Sequence, residues 1–451
     1  MYLSSVLKQH GHETDFFDIG LEGGIEEYVQ RTRPAVIGYS VTTGSHQPMF
    51  ETNRRLKAAC EFTSVFGGPH ATYHPECIEE EGVDAVCRGE AEEAFAEFVD
   101  TLAAGGDVGG IANFWVKQDG RILRNDVRPL REDLDALPFP DRDLLDRYPQ
   151  YARLASRRLL TARGCPFNCT YCYNKALSEL YRGKGKKLRR RSVDNVITEL
   201  RELYARVPVH ILHISDDTFI INKEWLSEFA DRYEPLGVPV TCYARAEFID
   251  AEVARALRRI RCTGLHVGVE SANEETRRKY MNRKMSNEVL ERAVRTAKAE
   301  GLPVVTQNML GLPGEDLKLA MNTLRFNARL RPAYAGVSIF QPYPGTELAR
   351  AAQDMGLVTE QDLEFPTFFW RRSLLKLPDV REMENLAHLF SIAVEYPPVI
   401  PLVELLVRLP RNVLFRFAGA LFKAYAYMVR LGYIRIRDIT LWWGPRTLKA
   451  T

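Results

Sequence analysis

Residues 163–173 read RGCPFNCTYCY, so Cys165, Cys169 and Cys172 stand within one short loop. Thiolates are soft ligands suited to zinc or to iron–sulfur clusters. A structural zinc site takes four ligands, commonly two cysteine pairs or a cysteine pair with a histidine pair, and no second pair of that kind follows here. A [4Fe–4S] cube normally has four thiolate ligands. Three leave one iron with an open coordination position, which serves a catalytic metal and is of no use to a pure electron carrier. The alternative is a non-catalytic zinc- or RNA-binding protein. Its metal would sit in the same loop, beside the basic run YRGKGKKLRRR at 181–191, because clustered Lys and Arg neutralise phosphates. The other five cysteines, Cys60, Cys77, Cys87, Cys242 and Cys262, show no ligand spacing and read as small buried apolar residues.

The rest of the chain has to position that loop. A length of 451 residues favours two or three domains. With 61 basic against 59 acidic residues the net charge is +2, which selects no polyanionic partner. Aromatics are not interleaved with the basic run for base stacking, so nucleic acid is not an expected partner and 181–191 reads as a solvated loop. The N-terminus, MYLSSVLKQHGHETDFFD, lacks the pattern of a secretory signal. Eight cysteines in this length are too sparse for a disulfide framework. A cytoplasmic protein with reduced thiols is expected, and no stretch approaches the ~20 apolar residues of a membrane span.

Hydrophobic periodicity divides the chain into four parts. Residues 1–125 alternate helix and strand: helices in YLSSVLKQHGH, IEEYVQRTRP, FETNRRLKAAC and EEAFAEFVDTLAAGG, strands in TDFFDIG, AVIGYSVTT, TSVFGGPHAT and DAVCRGE. That order predicts an α/β domain with a doubly wound, Rossmann-like parallel sheet. Residues 126–154 form a linker in which Pro138, Pro140 and Pro149 forbid a continuous helix. Residues 155–345 supply six further strands, RLLTAR, HILHISDD, PVTCYAR, GLHVGVE, PVVTQNML and YAGVSIFQ. Helices stand between them, one with Ser286 as N-cap and Gly301 past its end. Six such units predict a partial (β/α)6 barrel whose working face is the carboxyl end of its strands. The cysteine loop follows the first of them. Residues 346–451 predict a helical C-terminal region.

Polar and glycine residues gather after the strands of the first domain, in SVTTGS, GGPHAT and RGEAEEA. They serve equally as ordinary turns or as a ligand face, since ligands of open α/β sheets sit at carboxyl strand ends.

The spacing C-x3-C-x2-C with an aromatic before the last cysteine, at the end of a first barrel strand, resembles the radical S-adenosylmethionine (SAM) enzymes. The resemblance implies that Cys165, Cys169 and Cys172 hold a [4Fe–4S] cluster whose open iron binds SAM, and that SAM is cleaved to a 5′-deoxyadenosyl radical. Later strand ends fit the same pattern. By resemblance, Asp216 and Asp217 of HISDDTF contact the methionyl amino group, Arg245 its carboxylate, and Glu270 of VGVES the ribose. The segment MLGLPGE, with Gly311 and Leu312, lies along the adenine near Tyr171. GHETDFFD, VIGYSVTTGS, VFGGPHATYHPE and VCRGEAEEAF together look like the cobalamin-binding domain that precedes the barrel in one radical SAM subgroup, and PYPGTEL at 342–348 belongs to the same pattern. That implies cobalamin contacts from Ser40, Thr42, Thr43, Gly67, Gly68, Gly89 and Glu90.

By resemblance the subgroup methylates carbon or phosphorus, or forms and rearranges rings, on hydrophobic small molecules such as tetrapyrroles and hopanoids. It draws electrons from an external donor such as a flavodoxin or ferredoxin. Members open with an extra strand and a proline-rich loop before the helix that here starts at Tyr2, so the first sheet is expected to lack a strand. The D-x-H-x-x-G cobalt-ligand signature is absent, which leaves His70 and His74 as turn supports. In residues 397–434, Arg408, Arg411, Arg416, Lys423 and Arg430 stand among apolar residues against one acid, Glu404. Such helices pack on the open side of the barrel, line a greasy substrate pocket or touch a membrane surface peripherally.

Overall fold

The computed structural model describes residues 1–152, 156–359 and 372–434. Of the expected C-terminal region and linker, residues 360–371, 435–451 and 153–155 lie outside the described residues.

The first sheet has the order β1 (Val36–Ser40), β2 (Thr63–Gly67), β3 (Ala85–Cys87), β4 (Phe114–Gln118), β5 (Arg121–Arg124). Its first three strands are parallel. Helices α1 (Tyr2–Gln9), α2 (Ile25–Thr32), α3 (His46–Ala59), α4 (Gly68–Tyr73) and α5 (Glu92–Ala103) connect and cover them. Side chains alternate across a strand. Phe66 therefore joins Tyr39, Phe50 and Ile78 on one face, while its neighbour Val65 joins Phe95, Phe98 and Phe114 on the other. The sheet is doubly wound, as expected.

Two details differ from the sequence reading. TDFFD runs without strand structure, since a strand forms only against a partner ladder. The sheet also continues past β3 into an antiparallel hairpin, β4–β5. Its turn residues Asp119 and Gly120 both have positive φ, 51° and 72°, the requirement of a two-residue hairpin loop that Asp-Gly satisfies.

The second sheet contains six parallel strands in sequential order: β6 (Ser156–Leu159), β7 (Ile211–Ile214), β8 (Val240–Ala244), β9 (Cys262–Glu270), β10 (Val304–Leu310) and β11 (Tyr334–Ile339). Around it run α6 (Tyr173–Leu180), α7 (Val193–Arg206), α8 (Lys223–Tyr233), α9 (Ala251–Arg259), α10 (Glu274–Tyr280), α11 (Asn287–Ala299) and α12 (Leu317–Leu330). Ser192, Asn222, Asp250, Asn273, Ser286 and Asp316 each cap the following helix by accepting a backbone N–H, satisfying donors that a helix start leaves unpaired. Leu212, Val240, Cys242, Leu265 and Val267 face the helices and form the largest core with Leu200, Phe229, Leu257 and Leu290. Alternation turns His213, Thr241, Tyr243 and His266 to the concave side.

The C-terminal helices α13 (Glu347–Asp354), α14 (Val380–Glu395), α15 (Ile400–Leu406) and α16 (Val413–Tyr425) pack beside β10 and β11. Tyr433 closes one end of the barrel, its hydroxyl 3.2 Å from His266 Nε2. Among the described residues no helix is long and apolar enough to cross a membrane.

The basic run is not uniformly solvated. Arg189 is buried with a bidentate bond to Glu90 of the first domain, at 2.7 and 2.8 Å. Arg191 bonds the buried Glu199 at 2.5 Å, and Arg190 lies 4.5 Å from the Trp225 ring centroid. Its second half therefore fastens the domains internally, while Arg182, Lys186 and Lys187 face solvent.

Candidate functional site

The cysteine loop leaves the end of β6 through Gly164, whose φ is +81° and whose missing Cβ would lie 1.9 Å from the carbonyl oxygen of Lys187. Only glycine fits so close a backbone crossing. Just before it, Asp216 at the end of β7 accepts from the Thr161 amide at 2.7 Å, from the Ala162 amide at 3.2 Å and from the Thr161 hydroxyl. The buried aspartate thus anchors the entry of the loop. Further bonds pin its middle, from the Thr170 amide to Met281 O at 3.4 Å and from Asn282 Nδ2 to Asn168 O at 2.9 Å.

All three cysteines are free thiols. Burial pushes the Cys165 thiol up to about 11 and raises that of Cys172, whose Sγ accepts from the Asn174 amide at 3.5 Å as the cap of α6. Arg245 Nη1 donates to Cys169 Sγ at 3.5 Å, and its guanidinium lies 3.8 Å from the Phe167 ring centroid. The Nε of Arg245 is buried with no partner, a donor left over for an anionic group beside the middle cysteine. Among the described residues, no three His, Cys, Asp or Glu side chains converge on a point that one metal ion could occupy. Three soft thiolates on one loop are a donor set that suits an iron–sulfur cluster.

Beyond the cluster loop, Glu270 ends β9 in a left-handed conformation, φ +64°, where the register with β10 breaks between Gly268 and Glu270. Such strain on a non-glycine residue is held by its surroundings. Glu270 is buried, which raises its carboxyl pKa. It accepts from the Tyr171 hydroxyl at 3.2 Å and lies 3.5 Å from Arg283 Nη1. Arg283 also donates to Gly268 O at 2.7 Å and to the Tyr171 hydroxyl at 3.2 Å. Two of the expected SAM residues, Tyr171 and Glu270, therefore bond each other directly, and Arg283, which was not among those expected, contacts both. The sequence alone does not point to it, since it is one of two adjacent basic residues in MNRK with no periodicity. At the end of β10, Gly311 and Leu312 donate their amides to Glu315, at 2.7 and 3.1 Å. Burial lifts the Glu315 carboxyl to about 7. Asp217 lies at the solvent side within reach of Asn174.

In the first domain, Ser40 and Thr42 are exposed at the end of β1, and Thr43 is buried beneath them with its hydroxyl 3.1 Å from His70 Nδ1. Gly67 O accepts from the Val41 amide at 2.9 Å. Gly68 has φ +87°, and its missing Cβ would stand 2.9 Å from Val41 O. The glycine is thus demanded by contact between two strand-end turns of the domain itself. His46 stacks on His70 at 3.9 Å between ring centroids, and His74 follows at 5.0 Å. Burial first, then the neighbouring histidines, depress His70 to about 3, and its backbone amide donates to Val41 O at 3.0 Å, supporting the turn. Gly89 donates to the Thr72 hydroxyl at 3.0 Å, and Glu90 is taken up by Arg189 and by the Tyr181 hydroxyl bonded to its amide at 2.9 Å. These two stand at the domain contact, apart from the open edge at Ser40 and Thr42.

The strand ends of the two domains meet. Tyr73, closing α4, stacks on Tyr173 at 4.2 Å between ring centroids and donates to Tyr173 O at 3.1 Å. Tyr173 is the residue after Cys172, so the turn that follows β2 rests directly against the cysteine loop.

Residues 159–326 match the Radical SAM superfamily and residues 1–99 match the B12 binding domain. An uncharacterized methyltransferase of Pyrococcus horikoshii is 30% identical over 358 residues, covering 77% of this chain and 76% of its own length. The anaerobic magnesium-protoporphyrin IX monomethyl ester cyclase of Rubrivivax gelatinosus is 24% identical, over 78% of this chain and 65% of its own. Among solved structures, the radical SAM methyltransferase TsrM of Kitasatospora setae, with tryptophan and a SAM analogue bound, superposes with a TM-score of 0.65 at 18% identity. That match covers 78% of this chain and 72% of TsrM. The cobalamin-dependent radical SAM enzyme OxsB, with aqua-cobalamin, gives a TM-score of 0.70 at 14% identity over 98% of this chain and 75% of its own.

The chain belongs to the radical SAM superfamily. Within it, the chain is an enzyme of the cobalamin-dependent methyltransferase or cyclase group, with a [4Fe–4S] cluster, SAM and cobalamin as cofactors. The zinc- or RNA-binding alternative has no support. The superposed structures share the fold and the order of its parts.

Proposed function

We propose that the enzyme transfers a methyl group to a hydrophobic small molecule held on the concave side of the barrel. The observation that carries the reading is the contact of the two strand-end faces through Tyr73 and Tyr173, which sets the B12-binding turns against the cysteine loop. Cys165, Cys169 and Cys172 hold the cluster, and the spare donor of Arg245 takes the carboxylate of SAM. Tyr171 and Glu270 meet its sugar and base, Gly311 and Leu312 the adenine, and Asp217 the amino group, while Asp216 acts by anchoring the loop. The cluster, once bound, supplies the electron that cleaves SAM. The protein's part is to fix SAM and keep water from the radical. Ser40, Thr42, Thr43, Gly67 and Gly68 form the cobalamin edge, with Gly89 and Glu90 at its border with the barrel. Boundaries near 125, 154 and 345, an external flavodoxin or ferredoxin as donor, and a cytoplasmic location with peripheral membrane contact through 397–434 complete the reading.

Ring formation is the second reading, favoured by the likeness to the cyclase of Rubrivivax gelatinosus. The two separate in one assay of the anaerobically reconstituted enzyme with SAM, hydroxocobalamin, reductant and candidate lipophilic substrates. Methyl transfer leaves S-adenosylhomocysteine alongside 5′-deoxyadenosine, whereas ring formation leaves 5′-deoxyadenosine alone. A preparation that forms neither product under reduction refutes both.

A further inference from the structure

Helices α15 and α16 carry an apolar surface that the described chain does not cover. Leu402, Leu405 and Leu409 are 44–67% exposed, and Val413, Leu414, Phe417, Leu421 and Val429 are 50–73% exposed. The buried side of α16 is a different stripe. Phe415 is 8% exposed, and Gly419 comes so close to α14 that an added Cβ would lie 2.4 Å from His388 O. Positions 415 and 419 therefore face the protein, while 413, 417 and 421, also four apart, face away from it. A monomer seldom leaves so many large apolar side chains in one stretch without a use for them.

The charges around this surface identify its occupant. Between residues 397 and 434 stand Arg408, Arg411, Arg416, Lys423 and Arg430 against the single acid Glu404. Glu404 is taken by Arg325 at 2.8 Å, Arg411 bonds Glu384 at 2.7 Å, and Arg430 pairs with Glu395. Arg408 and Arg416 have no ion-pair partner among the described residues, and both are exposed. Apolar side chains flanked by unpaired cations suit an anionic bilayer, where the first enter the acyl boundary and the second meet lipid phosphates. A second copy would bring the same cations against themselves. The following sequence, residues 435–451, adds Arg435, Arg437, Arg446, Lys449 and the pair Trp442–Trp443 against one acid, Asp438. It repeats the basic character, and Trp is a residue of membrane interfaces.

We infer that α15 and α16 dock the enzyme flat on an anionic membrane surface, with Leu405, Val413, Phe417 and Leu421 among the lipids and Arg408 and Arg416 at the headgroups. The reading of a hydrophobic substrate gives this docking its purpose, since a lipid-soluble substrate resides in the same bilayer. Tyr427 and Tyr433, just past α16, pack against Val305 and Tyr334 at the amino ends of their strands, which fixes the membrane-facing helices to the barrel.

The test is co-sedimentation of the full chain with vesicles of phosphatidylcholine containing phosphatidylglycerol, and with vesicles of phosphatidylcholine alone. It needs no iron, SAM or substrate, so failure of the catalytic reading leaves it unaffected. The full chain should bind the anionic vesicles, less so as salt rises. Each lost cation is worth about fivefold in partitioning, so Arg408→Ala with Arg416→Ala should weaken binding about 25-fold. Phe417→Ser with Leu421→Ser should weaken it at least ~10-fold at unchanged melting temperature. Should the serine pair lower the melting temperature, Phe417→Trp replaces it: brominated lipids should quench its added fluorescence. Absence of binding to anionic vesicles, binding indifferent to both double variants, or a Phe417→Trp emission insensitive to brominated lipid overturns the proposal. So does a dimer that the serine pair converts to monomer, because the surface then belongs to a second copy.

Discussion

Replacing Glu315 with Gln isolates the effect of one buried carboxyl on stability. In the folded protein its pKa rises from an ordinary 4.5 to about 7, because burial outweighs the two amide bonds from Gly311 and Leu312. A group that binds its proton more tightly when folded stabilises fully below its unfolded pKa, and the contribution is lost as pH rises through the folded value. A shift of this size corresponds to roughly 3 kcal/mol at ~1.4 kcal/mol per unit, most of it falling between about pH 5 and pH 8. Glutamine keeps an oxygen to accept the two amides and never ionises. The stability of the parent should therefore fall relative to Glu315→Gln across that interval, with the difference levelling off only below the ordinary value of 4.5. The assay is urea unfolding of both proteins at matched pH, followed by barrel tryptophan fluorescence, with the difference in midpoint plotted against pH. Parallel profiles, or a difference that grows toward low pH, would refute the argument and mean that Glu315 is ionised without cost in its loop.

Cys165→Ala, Cys169→Ala and Cys172→Ala should each lose the reconstituted iron–sulfur absorbance, while Cys60→Ala and Cys262→Ala keep it. Equal loss in all five would show that other thiols hold the cluster. Arg283→Ala should retain iron yet slow 5′-deoxyadenosine formation by at least ~10-fold, because Tyr171 and Glu270 lose the cation that holds both in place. It should also cost about 3 kcal/mol of stability by leaving Glu270 without its buried partner, and turnover equal to the parent's counts against that role. Gly68→Ala places a Cβ 2.9 Å from Val41 O at a positive φ. The left-handed backbone alone costs about 1–2 kcal/mol, so melting temperature and hydroxocobalamin affinity by absorbance titration should fall together. Unchanged values for both would remove the strain argument.

The cysteine loop was legible because its spacing is local and its chemistry demands a fixed count of thiols. The six barrel strands were legible because β-branched runs alternate with amphipathic helices at regular intervals, and Ser286 and Gly301 marked their helix through capping chemistry. The β4–β5 hairpin carried its signal too, in Asp119-Gly120 between two apolar segments, but lay outside the parallel pattern the rest of the domain suggests. The direction of Arg189 and Arg191 was not legible. A run of cations looks the same whether it faces water or a distant carboxylate, and Glu90 and Glu199 reach these arginines only once the domains are folded together. Arg283 and the Tyr73–Tyr173 stack share that limit, since contacts between residues about a hundred apart leave no period in the chain.

The stack of Tyr73 on Tyr173 bears on how far the enzyme is modular. The two halves are joined by a linker but also share a surface made of the parts nearest the chemistry: α4 lies on the residue that follows the third cysteine, and Arg189 is buried against Glu90. A barrel expressed without residues 1–125 would keep Cys165, Cys169 and Cys172 and yet leave Tyr173 bare and a buried guanidinium without its carboxylate. Dividing the gene at the linker should therefore leave both pieces with a bared contact, and a foreign B12 domain grafted onto this barrel needs an aromatic at position 73 and an acid at position 90 to restore it.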